Sequence, residues 1–221
     1  EFSKLLENIY RSVNIGFINE MKFIADRMGL DIFEIIRLAK TKPYGFRAYN
    51  PGPAIGGHCI PIDPHYLYWK AKKEGYKSKF IQLASQTNSK VTNFINSKVI
   101  KTLKEKNIKK NKAKILILGV AYKKNIDDMR ESGSISLINK LLKKNVKNIW
   151  WADPHIERIQ ILNKSISNNK VNINPEILSS FDVVILMTDH KKFNYNIIEK
   201  YSKFIIDCRG KFPLSSKIIR A

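Results

Sequence analysis

The chain has 221 residues, 43% of them hydrophobic and 27% charged, with a formal net charge of +21. That is the composition of an ordinary soluble globular protein, with length for one large or two modest domains. No apolar run reaches membrane-spanning length and no charged-then-apolar leader opens the chain, so no membrane partner is expected. Only Cys59 and Cys208 are present, which argues against a disulfide framework and fits a reducing cytoplasm. Lysine is spread over the whole length, with no arginine-rich run and no zinc-finger spacing, so nucleic acid is not the expected partner. An anionic small substrate such as a nucleotide diphosphate suits the charge equally well.

From Phe2 to Met28 the residues Leu5, Ile9, Val13, Phe17, Met21 and Ile24 recur at three and four, which predicts a long amphipathic helix ended by Gly29. Ile15, Ile18 and Phe23 add a second apolar face, so this helix is expected to pair two chains. Lys4, Asn8 and Arg11 share a polar stripe that composition alone makes a solvated face. Asp31 caps a second helix to about Lys40, with Ile32, Ile35, Ile36 and Leu38 inward. After a turn-rich bridge, Lys42 to Arg47, comes the stretch Asn50 to Pro64.

Asn50-Pro51-Gly52-Pro53-Ala54-Ile55-Gly56-Gly57-His58-Cys59-Ile60-Pro61-Ile62-Asp63-Pro64 holds too many prolines and glycines for a helix or an interior strand. It reads as a shaped loop whose glycines let a ligand approach the main chain. It presents Cys59 beside two glycines, with Asp63 four residues on as a base or a water-orienting group. His58 is the nearest group able to activate the thiol, although adjacent side chains often point apart. A small buried hydrophobe is the alternative for a lone cysteine.

A helix is expected from His65 to Glu74, stopped by Gly75, and a long one from about Ser78 to Glu105 with Phe80, Leu83, Val91, Phe94, Ile95, Val99 and Leu103 inward. Lys104 to Lys112 reads as an exposed hinge, which makes residues 1–108 a helical domain. Residues 109–221 alternate short apolar strands with helices. Strands are expected at Ala113–Val120, Asn148–Ala152, Asp182–Met187 and Phe204–Asp207, with helices at Ser134–Lys144 and Asn194–Tyr201. That alternation is the α/β pattern of a parallel, Rossmann-like sheet. Ligands of such sheets sit beyond the strand carboxyl ends, here Tyr122-Lys123, Asp153, Thr188-Asp189-His190 and Arg209. Gly119 alone is not a G-x-G-x-x-G turn, and the four scattered histidines make a metal site unexpected.

Lys4-Leu5-Leu6-Glu7-Asn8, Gly56-Gly57-His58-Cys59-Ile60-Pro61-Ile62-Asp63 and Ala121-Tyr122-Lys123-Lys124 with Asp128-Met129-Arg130-Glu131-Ser132 resemble the UDP-glucose/GDP-mannose dehydrogenase family in content, order and separation. Within it, Asn14 with Asn19-Glu20, Lys42-Pro43-Tyr44-Gly45 and the Pro51-Gly52-Pro53 run are most similar to UDP-N-acetylglucosamine 6-dehydrogenases. The resemblance implies oxidation of a sugar C6 alcohol to a carboxylate with two NAD+ in succession. It makes Cys59 the nucleophile, gives Lys4 and Asn8 the oxyanion and Asp63 the water. Asn50, Pro51, Gly52, Pro53, Ala54, Ile55 and Gly56 would wrap the sugar nucleotide, with Tyr122, Lys123 and Arg209 binding it from the second domain. Arg130 would reach the NAD pyrophosphate. For Arg130 and Lys123 the alternative is a surface charge pairing Asp127 or Glu131.

The resemblance also implies a preceding NAD domain with G-x-G-x-x-G, which these residues do not supply, so the chain is expected to be a piece of something longer. A non-catalytic UDP-sugar-binding or oligomerisation remnant is the competing expectation. The family places a basic residue in the 42–47 bridge that reaches a neighbouring subunit's ligand, and the spacing leaves open whether it is Arg47.

Overall fold

The computed structural model describes residues 1–161 and 164–221. Helices come first: α1 (Phe2–Arg27), α2 (Ile32–Ala39), α3 (Cys59–Lys73) and α4 (Lys79–Glu105). Then follow β1 (Lys114–Leu118), α5 (Gly133–Lys143), β2 (Asn148–Ala152), α6 (Lys164–Ser167), α7 (Pro175–Ser180), β3 (Val183–Leu186), α8 (Tyr195–Tyr201), β4 (Ile205–Asp207) and β5 (Ile218–Arg220). The strands form one sheet in the order β2-β1-β3-β4-β5, and every pairing is parallel. A helical region followed by a parallel sheet is the α/β class that the pattern predicts.

Strand β1 is apolar throughout because both of its faces are covered. Ile115 and Ile117 pack with α4 and α5, while Leu116 and Leu118 pack with Leu178 of α7 and Ile198 of α8. The second half of α4 belongs to the sheet's own core through Val91, Ile95, Val99 and Leu103. A division near residue 108 therefore separates segments that share one core. Gly119 is a packing glycine: its φ is +83°, and a Cβ there would stand 2.5 Å from Thr188.

Several expectations need correction. Helix α3 begins at Cys59, not His65. Proline costs no hydrogen bond in a first turn, where the N–H groups have no acceptor, so Pro61 is tolerated and only Pro64 gives one up. In α1 the buried residues are Asn8, Ser12, Gly16, Ile18, Asn19, Lys22 and Ala25, whereas Phe17 and Ile24 of the expected apolar stripe are exposed. Small and polar residues face inward because α1 lies close on α4: a Cβ on Gly16 would stand 3.1 Å from Ala84. Ile35, Leu38, Phe80 and Leu83 are likewise exposed. The pattern passed over α6, α7 and β5.

Candidate active site

The loop before α3 is clasped from both halves of the chain. From α1, Asn19 Oδ1 accepts the Gly52 N–H at 3.4 Å, and from α4 Thr92 Oγ1 donates to the Pro53 carbonyl at 3.2 Å. From the sheet side, the Gly57 N–H donates to the Arg130 carbonyl at 2.9 Å, and Gly133 sits so close that a Cβ there would be 2.9 Å from Ala54. Gly56 and Gly57 have φ of +65° and +81°, and added Cβ atoms would stand 2.5 and 3.0 Å from the Tyr122 side chain. These two glycines are required twice over, by the left-handed backbone and by the ring against them. At Gly52 the backbone is not left-handed, and an added Cβ would stand 3.3 Å from Arg209 Nη1, a tight contact with the end of a side chain. Arg209 is itself held at the sheet edge, where Nε donates to the Met187 carbonyl at 2.7 Å and Asp189 lies 3.9 Å away.

The catalytic candidates are partly assembled. Asn8 Nδ2 donates to Asp63 Oδ2 at 2.6 Å, joining α1 to α3 across 55 residues of sequence. Arg11, whose stripe composition makes a solvated face, donates to Asn8 Oδ1 at 2.8 Å and so fixes which way the Asn8 amide points. Asp63 lies one turn after Cys59 on α3, and Lys4 one turn before Asn8 on α1, exposed. Cys59 is a free thiol, half-buried at the first position of α3. His58 is exposed at the N-cap, and among the described residues no hydrogen bond links it to Cys59. Activation of Cys59 by His58, which neighbouring side chains seldom achieve, has no hydrogen bond behind it.

Lys123 and Asn50 are exposed, while Pro51, Gly52, Pro53 and Gly56 are buried and Ala54, Ile55 and Tyr122 are half-buried. The Arg130 guanidinium pairs with Asp128 at 2.6 Å, rather than with Asp127 or Glu131, and stays largely exposed. That pairing holds the Asp128 carboxyl below the usual carboxylate range. Arg47 lines a cavity of about 370 Å³ with Glu7, Tyr10, Arg11 and Tyr49. A larger cleft of about 1310 Å³ runs between α4 and α5; Gly56 and Pro61 line it, but Cys59, Asp63 and Arg209 do not. Thr92 and Gly133 escaped the sequence reading, and Asn19 entered it only as part of the Asn14 and Asn19-Glu20 run, without the loop contact it makes here.

The fold and the loop define a class: a cysteine-bearing helical segment docked at the strand carboxyl ends of a Rossmann-like sheet. Two family models match, the UDP-glucose/GDP-mannose dehydrogenase central domain over residues 1–90 and the UDP-binding domain of the same family over residues 116–213. The chain belongs to the UDP-glucose/GDP-mannose dehydrogenase family. It is 32% identical over 219 residues to a UDP-N-acetyl-D-mannosamine dehydrogenase of Methanococcus vannielii, covering 99% of this chain and 48% of that protein. It is 31% identical to an NDP-N-acetyl-D-galactosaminuronic acid dehydrogenase of Ralstonia solanacearum, covering 95% of this chain and 47% of that one. The solved UDP-D-ManNAc dehydrogenase of Pyrococcus horikoshii superposes with a TM-score of 0.83 at 29% identity, over 100% of this chain and 51% of that one. The chain spans about half the length of the curated relatives it matches.

Proposed function

We propose that the chain is the central and C-terminal part of a cytoplasmic, NAD-dependent nucleotide-sugar 6-dehydrogenase. Its substrate would be UDP-N-acetylglucosamine or a close UDP-N-acetylhexosamine. Residues 1–108 carry the cysteine and residues 109–221 bind the UDP-sugar. The observation that carries this reading is the seating of the Gly52–Gly57 loop against Arg209 and Tyr122, with Asn8 and Asp63 joined beside the Cys59 helix start. The acetamido sugar is supported by the relatives, whose names carry N-acetylated sugars.

In that reading the Cys59 sulfur adds to the C6 aldehyde carbon and forms a thiohemiacetal. Lys4 and Asn8 hold the oxyanion, where preorganised donors act most strongly. NAD+ supplies the oxidant twice, two electrons each from the alcohol and from the thiohemiacetal. Asp63, an acceptor toward Asn8, takes a proton from the water that attacks the thioester, the C–S bond breaks, and the thiol returns. Arg130 fits a pyrophosphate contact: its guanidinium is 63% exposed while its carbonyl is tied to the cysteine loop. That is one contact to the cofactor, and the glycine-rich turn lies outside these residues.

Two chains pair through α1 in this proposal, but not through the expected second face, whose Ile18 and Phe23 pack inside the chain itself. Phe2, Leu6, Tyr10, Phe17, Ile24 and Met28 are each 46% to 66% exposed and follow helical spacing along one face. The direct check of UDP-sugar recognition is the melting temperature with and without UDP-N-acetylglucosamine, run beside the mannosamine and galactosamine epimers. A rise is expected, and Arg209→Ala should weaken binding by about 1–3 kcal/mol. An unchanged curve at millimolar ligand would contradict it. Binding without turnover in any longer form would leave the second reading, a UDP-sugar-binding remnant.

A further inference from the structure

The Tyr122–Lys123 segment does not hold itself in place. Asp153, just past the end of β2, accepts five hydrogen bonds. Its Oδ2 takes the Val120 N–H at 2.7 Å, the Ala121 N–H at 3.0 Å and His190 Nε2 at 3.0 Å. Its Oδ1 takes the N–H groups of His155 at 2.8 Å and Ile156 at 3.1 Å. His190, just past β3, is fully buried, and its Nδ1 lies 3.0 Å from the Asn125 N–H. A backbone amide can only donate, so Nδ1 carries the lone pair and the ring proton sits on Nε2, donated to Asp153. One neutral imidazole thus joins a carboxylate after β2 to the backbone of the segment after β1.

The two attachments bracket the segment. Ala121 is tied to Asp153 on one side of Tyr122-Lys123, and Asn125 is tied to His190 on the other. Thr188 Oγ1 donates to the Ala121 carbonyl at 2.7 Å, and Asn125 Oδ1 accepts the Lys191 N–H at 2.9 Å, so the end of β3 grips both sides. Burial works against ionisation of Asp153, but the bonds from His190, Ala121 and His155 outweigh it and hold the carboxyl below its usual range. A carboxylate after the second strand of a doubly wound sheet is a usual partner for a ribose hydroxyl. Here five protein donors saturate it, which leaves no lone pair for a ligand.

We propose that Asp153 and His190 are positioning residues for nucleotide recognition, a buried brace that sets where Tyr122 and Lys123 meet the UDP moiety. The inference rests on the UDP-sugar reading above. His190→Gln and His190→Asn separate the two bonds of the imidazole. Glutamine can still donate to Asp153 but has nothing for Asn125, and asparagine can still accept from Asn125 but does not reach Asp153.

UDP titration by calorimetry and amide hydrogen exchange on the present chain read the outcome. In His190→Gln the Asn125 amide should exchange at least about tenfold faster and UDP should bind about tenfold more weakly, the loss expected for one hydrogen bond, while Val184 and Ile185 stay protected. His190→Asn should keep Asn125 protected and bind UDP within about threefold of the parent. UDP affinity unchanged in His190→Gln overturns the proposal, whatever its exchange rate. If His190→Gln does not fold, Asp153→Asn keeps the side-chain shape but turns one of the two accepting oxygens into a donor, which breaks the bonds made at that position. It should bind UDP at least about threefold more weakly, and parental affinity there would overturn the brace. A parent chain that fails to bind UDP would count against the UDP-sugar reading, and the exchange arm would then judge the brace alone.

Discussion

Lys22 carries a buried amine on the inner face of α1, 3% exposed, and among the described residues its Nζ has no hydrogen-bond partner. The Phe94 ring, 5.3 Å away, offers only partial compensation. Burial first, and then the positive charges of Arg209 and Lys98, bring its pKa down from 10.5 to about 8, against the opposing pull of Cys208 and Asp26. Burial pushes the neighbouring Cys208 thiol up to about 12, which keeps it inert. Below about pH 8 both folded and unfolded chains hold the Lys22 proton, and the fold bears the cost of the buried charge. Between about 8 and 10.5 the unfolded chain holds more protons, so this residue's contribution to stability rises with pH across that window. Lys22→Met should therefore unfold at higher urea than the parent at pH 7, by about 1–3 kcal/mol, and the gap should narrow by pH 10. A pH-independent gap would show that the charge is not the cause.

At the scale of elements, one arginine clips the helical region to the sheet. Arg220 of β5 donates through Nε to Asp31, the N-cap of α2, at 3.0 Å, pairs through Nη1 with Asp207, and donates through Nη2 to the Phe212 carbonyl at 2.7 Å. The Asp207 side chain is fully buried and that of Asp31 nearly so, so removing the guanidinium strands two carboxylates at once. Arg220→Met should cost about 3–5 kcal/mol in chemical unfolding, the range for breaking a buried ion pair from one side. A loss of ~1 kcal/mol or less, the scale of a surface pair, would contradict it. The clip was invisible in the sequence because β5 is a three-residue strand joined to nothing by local pattern. Strand β2 was legible to the residue, since an apolar run closed by Asp153-Pro154 has few other readings. The start of α3 is not legible in the sequence, because prolines argue against a helix and yet a first turn accepts them. The apolar stripe of α1 is only partly covered, with Phe17 and Ile24 exposed: hydrophobic spacing marks a stripe to be covered without saying what covers it. The cysteine loop and Tyr122 were legible through the family's motifs and Arg209, Asp153 and His190 through the strand ends, whereas the buried contacts of His190, Asn19 and Thr92 are ones that no local pattern records.

For the molecule as a whole, the exposed stripe of α1 and the family match make two claims that can be tested separately. The pairing claim predicts a dimer by light scattering at micromolar concentration, and Phe17→Glu, at the middle of the stripe, should give a folded monomer by placing a charge in the contact. A parent chain that is monomeric with α1 folded would rule the pairing out. The chemical claim is the central one, and NADH formation from a UDP-N-acetylhexosamine measures it most directly. The assay uses the protein joined to a cofactor domain, as parent, Cys59→Ser and Asp63→Asn. The account predicts turnover to the uronate in the parent, none through the thioester in Cys59→Ser, and slowed hydrolysis with accumulated acyl-enzyme in Asp63→Asn. Full conversion to the uronate by Cys59→Ser would contradict it.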